Sequence, residues 1–405
     1  MKDLLSGAAC CALALAASAA QAAGATVTVT HDLEAARPAQ IVSIPFAQIA
    51  ASMPEARMYH LVVRDAAGKV LPSQITNYEH DHRGAKYDDL VFSYDFKVGE
   101  KRASFTLENL AAATPPAPAC VYARFVPERY DDMAWENDRI AHRMYGTALN
   151  TPAAGGERLR GSGIDVWGKR VSYPIVDRWY AKGHDQFHKD EEAEGLDLYS
   201  IGGARGAGGT GFWDGTKLWT SDNFTKATVL SNGPRRAAFT LEYAPFEIGK
   251  GASAKSLKRF TVDCGVNFDQ IEERFSFAGP SQVAGIGITE HRKAAGDPDA
   301  VLTRDPNGRW MSLWEENKDG GLGTAVILAK DATSMGYARD TPDDSGKFNH
   351  VLLVKVYDKA PLAYYAGAGW NRSAQFKDRA AWEAYVKDFA ARAAHPLAVN
   401  VSAKP

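Results

Sequence analysis

This sequence predicts an all-β fold: a large antiparallel β-sandwich with one C-terminal helix. Three observations carry that reading. Short runs alternating apolar and polar side chains recur along the chain, with turn residues between them. Hairpin dipeptides, Asp214-Gly215 and Asn307-Gly308, join aromatic-bearing runs. Only near the end, over 378–394, do Trp382, Tyr385, Phe389 and Ala393 follow a helical period.

Taken in order, residues 1–23 read as a secretory signal peptide. Lys2 gives a positive start, an apolar run extends to Ala20, and Ala20, Gln21 and Ala22 resemble a peptidase site. The expected localisation is therefore periplasmic or secreted, from a bacterium. The runs TVTVTHDL, IVSIPF, MYHLVVRD, LPSQITNY, DLVFSYDF and ASFTLENL make 24–110 an N-terminal β-sandwich portion. A Pro/Ala-rich stretch at 111–119 reads as a linker. Residues 120–405 then supply the main sandwich, from YARFVP and RIAHRMYG through RAAFTLEYAPF, LKRFTVDCGV, FDQIEERFSFAG and HVLLVKVYD, with LAVNVS returning after the helix as a last strand.

Composition narrows the partners. With 47 basic and 49 acidic residues the net charge is -2, which gives no footing for nucleic acid or an anionic membrane. No later window offers ~18 consecutive apolar residues, so no membrane insertion is expected. Beyond the signal only Cys120 and Cys264 remain, and pairing and two buried thiols both stay open.

The stretch 135–146, WENDRIAHRMYG, is the most informative. A period of two puts Arg139, Ala141, Arg143 and Tyr145 on one face and Ile140, His142 and Met144 on the other. Two guanidiniums and a phenol, following Glu136 and Asn137, suit an anionic, oxygen-rich ligand such as an acidic sugar. A solvated polar face is the plain alternative, and a helical reading also exists.

A second dense segment spans 177–219. His184 and His188 are four apart, Asp190 and Asp197 lie near, Tyr180 and Tyr199 add phenols, and seven glycines fall between Gly195 and Gly211. The histidine spacing alone is compatible with zinc, but the central Glu of H-E-x-x-H is missing, so no metal ligand is assigned. Calcium among the acidic loops stays open, and no other cofactor is expected. Phosphate cradling is disfavoured, because the glycines form neither a Walker nor a dinucleotide pattern. Glu315 and Glu316 read as an exposed strand end.

The strings WENDRIAHRMYG and FHKDEEAEGLDLYSIGGARGAGG resemble the hallmark segments of an uncharacterised family of secreted bacterial proteins, a domain of unknown function linked to polysaccharide degradation. That resemblance implies a supersandwich similar to galactose mutarotases and sandwich-type polysaccharide lyases. It supplies no established mechanism.

The reading that follows is β-elimination on uronic-acid-containing oligosaccharides, by a lyase or dehydratase. Such a reaction must neutralise a carboxylate, remove the C5 proton and protonate the departing oxygen. Arg139, Arg143 and Asn137, beside Glu136, would hold the carboxylate. His188 would be the base, with Asp197 fixing its tautomer. Tyr199 or Tyr145 would be the acid, and Trp135 and Trp179 would stack on sugar faces. The alternatives are a glycoside hydrolase using Glu136 and Asp197 as paired carboxylates, and a non-catalytic sugar-binding protein.

Overall fold

In the computed structural model the described residues are 24–78, 88–115, 117–157, 159–183, 188–190, 192–341 and 346–404. The expected signal peptide, His184 and Glu191 lie outside them. The centre of the molecule is an eight-stranded antiparallel sheet in the order Lys226–Gly233, Arg236–Glu247, Ser253–Asp263, Phe268–Phe277, Pro361–Trp370, Gly320–Leu328, Trp310–Asn317 and Val301–Arg304. Burial alternates along strands such as SAKSLKRFTVD, where Ala254, Ser256, Lys258, Phe260 and Val262 are buried, whereas Gly320–Leu328 is buried on both faces. One side is therefore committed to a core and the other is left for different partners.

Two five-stranded sheets close over the inner face. One runs Leu218–Trp219, Ala207–Trp213, Ser281–Glu290, Phe348–Tyr357 and Thr333–Arg339; the other runs Gly195–Asp197, Asp165–Lys169, Ile140–Met144, Asp132–Asn137 and Val121–Val126. All three meet in one hydrophobic core that includes Met133, Trp135, Phe239, Phe260, Ile286, Leu313 and Leu352. The fold is thus a large antiparallel β-sandwich.

The helix Arg379–Ala394 is where its period places it. Asp378 caps it by accepting from the Ala381 N–H at 2.9 Å, and Trp382 and Val386 pack on Phe268, Trp310 and Trp314 of the eight-stranded sheet's outer face. After it, Ala398–Ala403 pairs antiparallel with Gly24–Thr30. This last strand thereby completes a sheet of the N-terminal sandwich, whose own core includes Val27, Val42, Phe92 and Phe105. The two ends of the described chain are stitched together by backbone hydrogen bonds.

Cys120 and Cys264 are disulfide-bonded, with Cα atoms 5.8 Å apart. The bond ties the start of Val121–Val126 to the end of Ser253–Asp263 across a sequence separation of 144. A cross-link closing so long a loop restricts the unfolded chain strongly. Cys264→Ser, or reduction, is expected to lower unfolding stability by about 2–4 kcal/mol, measured by denaturant titration with and without reductant.

Candidate functional site

The most informative stretch is a strand, Ile140–Met144, and its alternation is as the period requires. Cross-strand pairing of Arg143 with Asp165, of Ala141 with Glu136 and Trp167, and of Trp167 with Asp197 collects these residues on one face. Trp135, His142 and Met144 occupy the other. What differs from expectation is the environment, because both faces are buried. The helix Val176–Lys182 lies over the polar face: Trp179 stacks on Trp167 at 5.3 Å, the Tyr180 hydroxyl donates to Asp132 at 3.1 Å, and the backbone N–H groups of Ile175 and Val176 donate to Glu136.

At the centre of this layer Arg143 is only 4% exposed. Its Nε donates to Asp165 at 2.7 Å, its Nη2 to Asp197 at 3.1 Å, and its Nη1 is 3.8 Å from Asp132. The rings of Tyr145 and Trp167 sit 5.6 and 5.5 Å from the guanidinium carbon. Burial pushes the Asp132 carboxyl up to about 6 against the pull of Arg143, and burial together with the charge of Asp165 pushes Asp197 well above the usual carboxylate range. Burial opposes charge on Arg143, but the surrounding aspartates outweigh it and hold the guanidinium charged.

This geometry redistributes the roles expected from sequence. Arg143 is saturated by aspartates and cannot also clamp a substrate carboxylate. Asn137 shapes the turn to the next strand, accepting from the N–H groups of Arg139 and Ile140 and donating to the carbonyls of Asp263 and Val266. Arg139 lies in that turn, off the polar face. Glu136 pairs with Lys169 at 2.6 Å. Trp135 and Trp179 are 0 and 2% exposed, so neither can stack on a sugar. Trp135 donates to Asp269 and packs on Phe239 and Phe260. Tyr145 is enclosed beside Arg143, and burial raises its pKa well above the ordinary phenol value.

The expected contact between His188 and Asp197 is present: His188 Nδ1 is 3.1 Å from the Asp197 carbonyl and 3.7 Å from its carboxylate. A proton on Nδ1 satisfies that carbonyl. His188 is exposed, above the buried layer. The strand Gly195–Asp197 that carries Asp197 depends on Gly195, whose φ of +125° and 1.9 Å approach of a notional Cβ to the Gly168 oxygen admit no side chain.

Two residues beyond Asp197, Tyr199 turns into a cleft of about 340 Å³ that is also lined by His291, Arg292 and Lys293 and by the acids Glu290, Asp297, Asp299, Glu315 and Glu316. The Tyr199 ring meets the edge of His291 at 4.7 Å, and its hydroxyl points to the Thr289 carbonyl at 3.5 Å. Burial, then the charge of Glu315, holds its pKa well above the ordinary value, so it is a proton donor and not a base. His291 Nδ1 is 2.9 Å from Glu315 and Nε2 is 2.8 Å from the Ser200 carbonyl. Both partners are acceptors. Burial works against charge on His291, but the Glu315 carboxylate outweighs it and raises the pKa, which favours the charged ring.

Sequence reasoning missed His291, Arg292, Lys293, Asp132 and Asp165. The first three form a cationic triplet directly after an apolar strand, a signal visible in GIGITEHRK. The two aspartates carried no such signal, since nothing local shows that their strands are covered.

Removing Arg143 would leave three buried carboxylates without their cation. Arg143→Met is expected to cost about 3–5 kcal/mol of stability. Buried carboxylates with raised pKa values favour the folded state when protonated, so the deficit should grow as pH rises through about 6 and narrow below it. Denaturant unfolding on either side of that pH checks both points.

The profile of the family described as "Domain of unknown function (DUF4861)" matches residues 29–399. "Uncharacterized protein P7" of Formosa agariphila is 30% identical over 384 residues, covering 93% of each chain. Among solved structures, an alpha-mannosidase from Enterococcus faecalis V583 aligns over 94% of this chain and 46% of its own at 11% identity and a TM-score of 0.48. A glycosyl hydrolase family 38 protein from Enterococcus faecalis aligns over 94% of this chain and 48% of its own, with the same identity and TM-score. The chain thus spans about half the length of these two structures. By its match from 29 to 399 and by its relative of equal extent, the chain belongs to the DUF4861 family.

Proposed function

We propose that the chain is an exported carbohydrate-active enzyme that acts on uronic-acid-containing oligosaccharides by β-elimination, in the cleft beside Tyr199. One observation carries this reading. The cleft sets His291, paired with Glu315, the exposed Arg292 and Lys293, paired with Asp299, beside a phenol that holds its proton, in a wall that also carries Glu290, Asp297 and Glu316. A uronate carboxylate neutralised by these cations has a more acidic C5 proton.

The roles are assigned from the chemistry of each side chain. His188 Nε2 takes the C5 proton, the C5–H electron pair forms the C4=C5 double bond, and the C4–O bond breaks with its pair on oxygen. Tyr199 gives that oxygen a proton. The carbonyl of Asp197 holds His188, which stands outside the cleft lining, and the backbone from 197 to 199 spans at most ~7 Å, so a substrate engaging both would bridge from the cleft to the turn that carries His188. Arg143 acts one step back, fixing Asp197. In this arrangement His291, Arg292 and Lys293 take over the carboxylate-binding role that the sequence pattern gave to Arg139, Arg143 and Asn137.

The test is ultraviolet absorbance of the conjugated unsaturated uronate while the mature chain is incubated with uronic-acid oligosaccharides. A rise that falls by about 10²–10⁴-fold in His188→Ala and in Tyr199→Phe, with both variants folded by circular dichroism, is expected. New saturated reducing ends without absorbance would replace elimination with hydrolysis. Binding without turnover would leave a sugar-binding protein.

A further inference from the structure

A second cavity, of about 320 Å³, lies where the N-terminal sandwich, the outer face of the eight-stranded sheet and the helix Arg379–Ala394 meet. Its walls include Arg37, Arg236, Arg392, Gln270, Tyr365 and Phe389. Three guanidiniums converge on one junction, and their partners do not exhaust them.

Arg236 forks onto Asp263 at 2.7 and 2.8 Å and reaches Ser43 at 2.9 Å. Arg37 donates to the carbonyls of His395 and Arg392 at 2.6 and 3.3 Å and to Gln40 at 3.1 Å, so it caps the helix C-terminus. Arg392 donates to the Pro38 carbonyl at 3.0 Å and pairs through Nε with Asp388 at 3.1 Å. Its Nη2 is buried and has no hydrogen-bond partner among the described residues, although the residue is only 5% exposed. A buried guanidinium N–H normally finds an acceptor. Against the three cations stand Asp263 and the partly exposed Asp388 in direct pairs, with Asp32 acting on Arg37 and Asp89 on Arg236 from further off. Burial, then the nearby charge of Arg392, lowers the Arg37 pKa to about 10, consistent with two cations held close in a dry place.

We propose that this cavity binds the oxyanion group of a small sugar acid, a carboxylate or sulfate ester on a single sugar unit, with Arg392 Nη2 as the donor that closes on it. Guanidinium geometry matches such oxyanions. Tyr365 lines the wall beside Phe389, whose ring lies 5.1 Å from the Arg392 guanidinium and helps place it, and the volume sits at the lower end for small-ligand sites. An occupant would tie the N-terminal sandwich to the main body. This site is separate from the cleft and does not rest on the elimination chemistry.

The test is calorimetric titration of the mature chain with glucuronate, glucose 6-sulfate, inorganic sulfate and glucose. Saturable binding of at least one charged sugar and not of glucose is expected, weakened at least tenfold by Arg392→Met and by Gln270→Glu, and retained in His188→Ala. Gln270 is exposed on its strand, so Gln270→Glu adds a repelling charge without disturbing the core. Saturation by inorganic sulfate with neither charged sugar would overturn the sugar assignment. No saturation by any of them, or binding that survives both cavity substitutions, would overturn the site.

Discussion

Burial of Arg143 among Asp132, Asp165 and Asp197 is the constraint on which this side of the molecule depends. A lone guanidinium inside a protein is prohibitively costly, and three carboxylates packed together are equally so. Each is tolerable only because the other is there. The pairing fixes the register of four strands at once, because Arg143 must face Asp165 across one ladder and reach Asp197 across the next. A slip of one residue would turn the arginine into the hydrophobic core beside Trp135. The layer therefore acts as a lock on the sheet and anchors Asp197, from which the chain runs on to Leu198 and Tyr199 at the cleft.

Around that lock the chain separates rigid framework from exposed chemistry. The framework buries its charge pairs: Lys169 with Glu136, and Arg143 with Asp165 and Asp197. The cleft carries its pairs at the wall: His291 with Glu315, and Lys293 with Asp299. His291 joins the two, since its ring nitrogens are taken up by Glu315 and Ser200 while its charge remains at the cleft wall. Placing the cations on strand ends and the phenol one strand end away follows a general pattern, in which functional side chains sit at the edge of a scaffold that does not move.

Much of the fold was legible because its signals are local. Period-two alternation identified the long strands, Asn307-Gly308 marked the turn between Val301–Arg304 and Trp310–Asn317, and the 382, 385 and 389 spacing marked the one long helix. The faces of Ile140–Met144 were legible for the same reason. Their burial was not, because it depends on the helix Val176–Lys182 folding over from a stretch read as a functional loop. Ile175, Val176, Trp179 and Tyr180 do carry a helical spacing, but histidines, acids and glycines downstream dominated the reading. The contact of His188 with Asp197 came within reach because the two are close in sequence. The meeting of Tyr199 with His291, 92 positions apart, did not.

The account turns on where an acidic saccharide sits. Hydrogen exchange read by mass spectrometry, with and without a saturating uronic-acid oligosaccharide, asks this directly. Protection is predicted at 198–200, 290–293 and 315–317, with 140–144 already slow to exchange and unchanged. Protection confined to segments away from the cleft would contradict the account, as would an apo protein in which 140–144 exchanges rapidly.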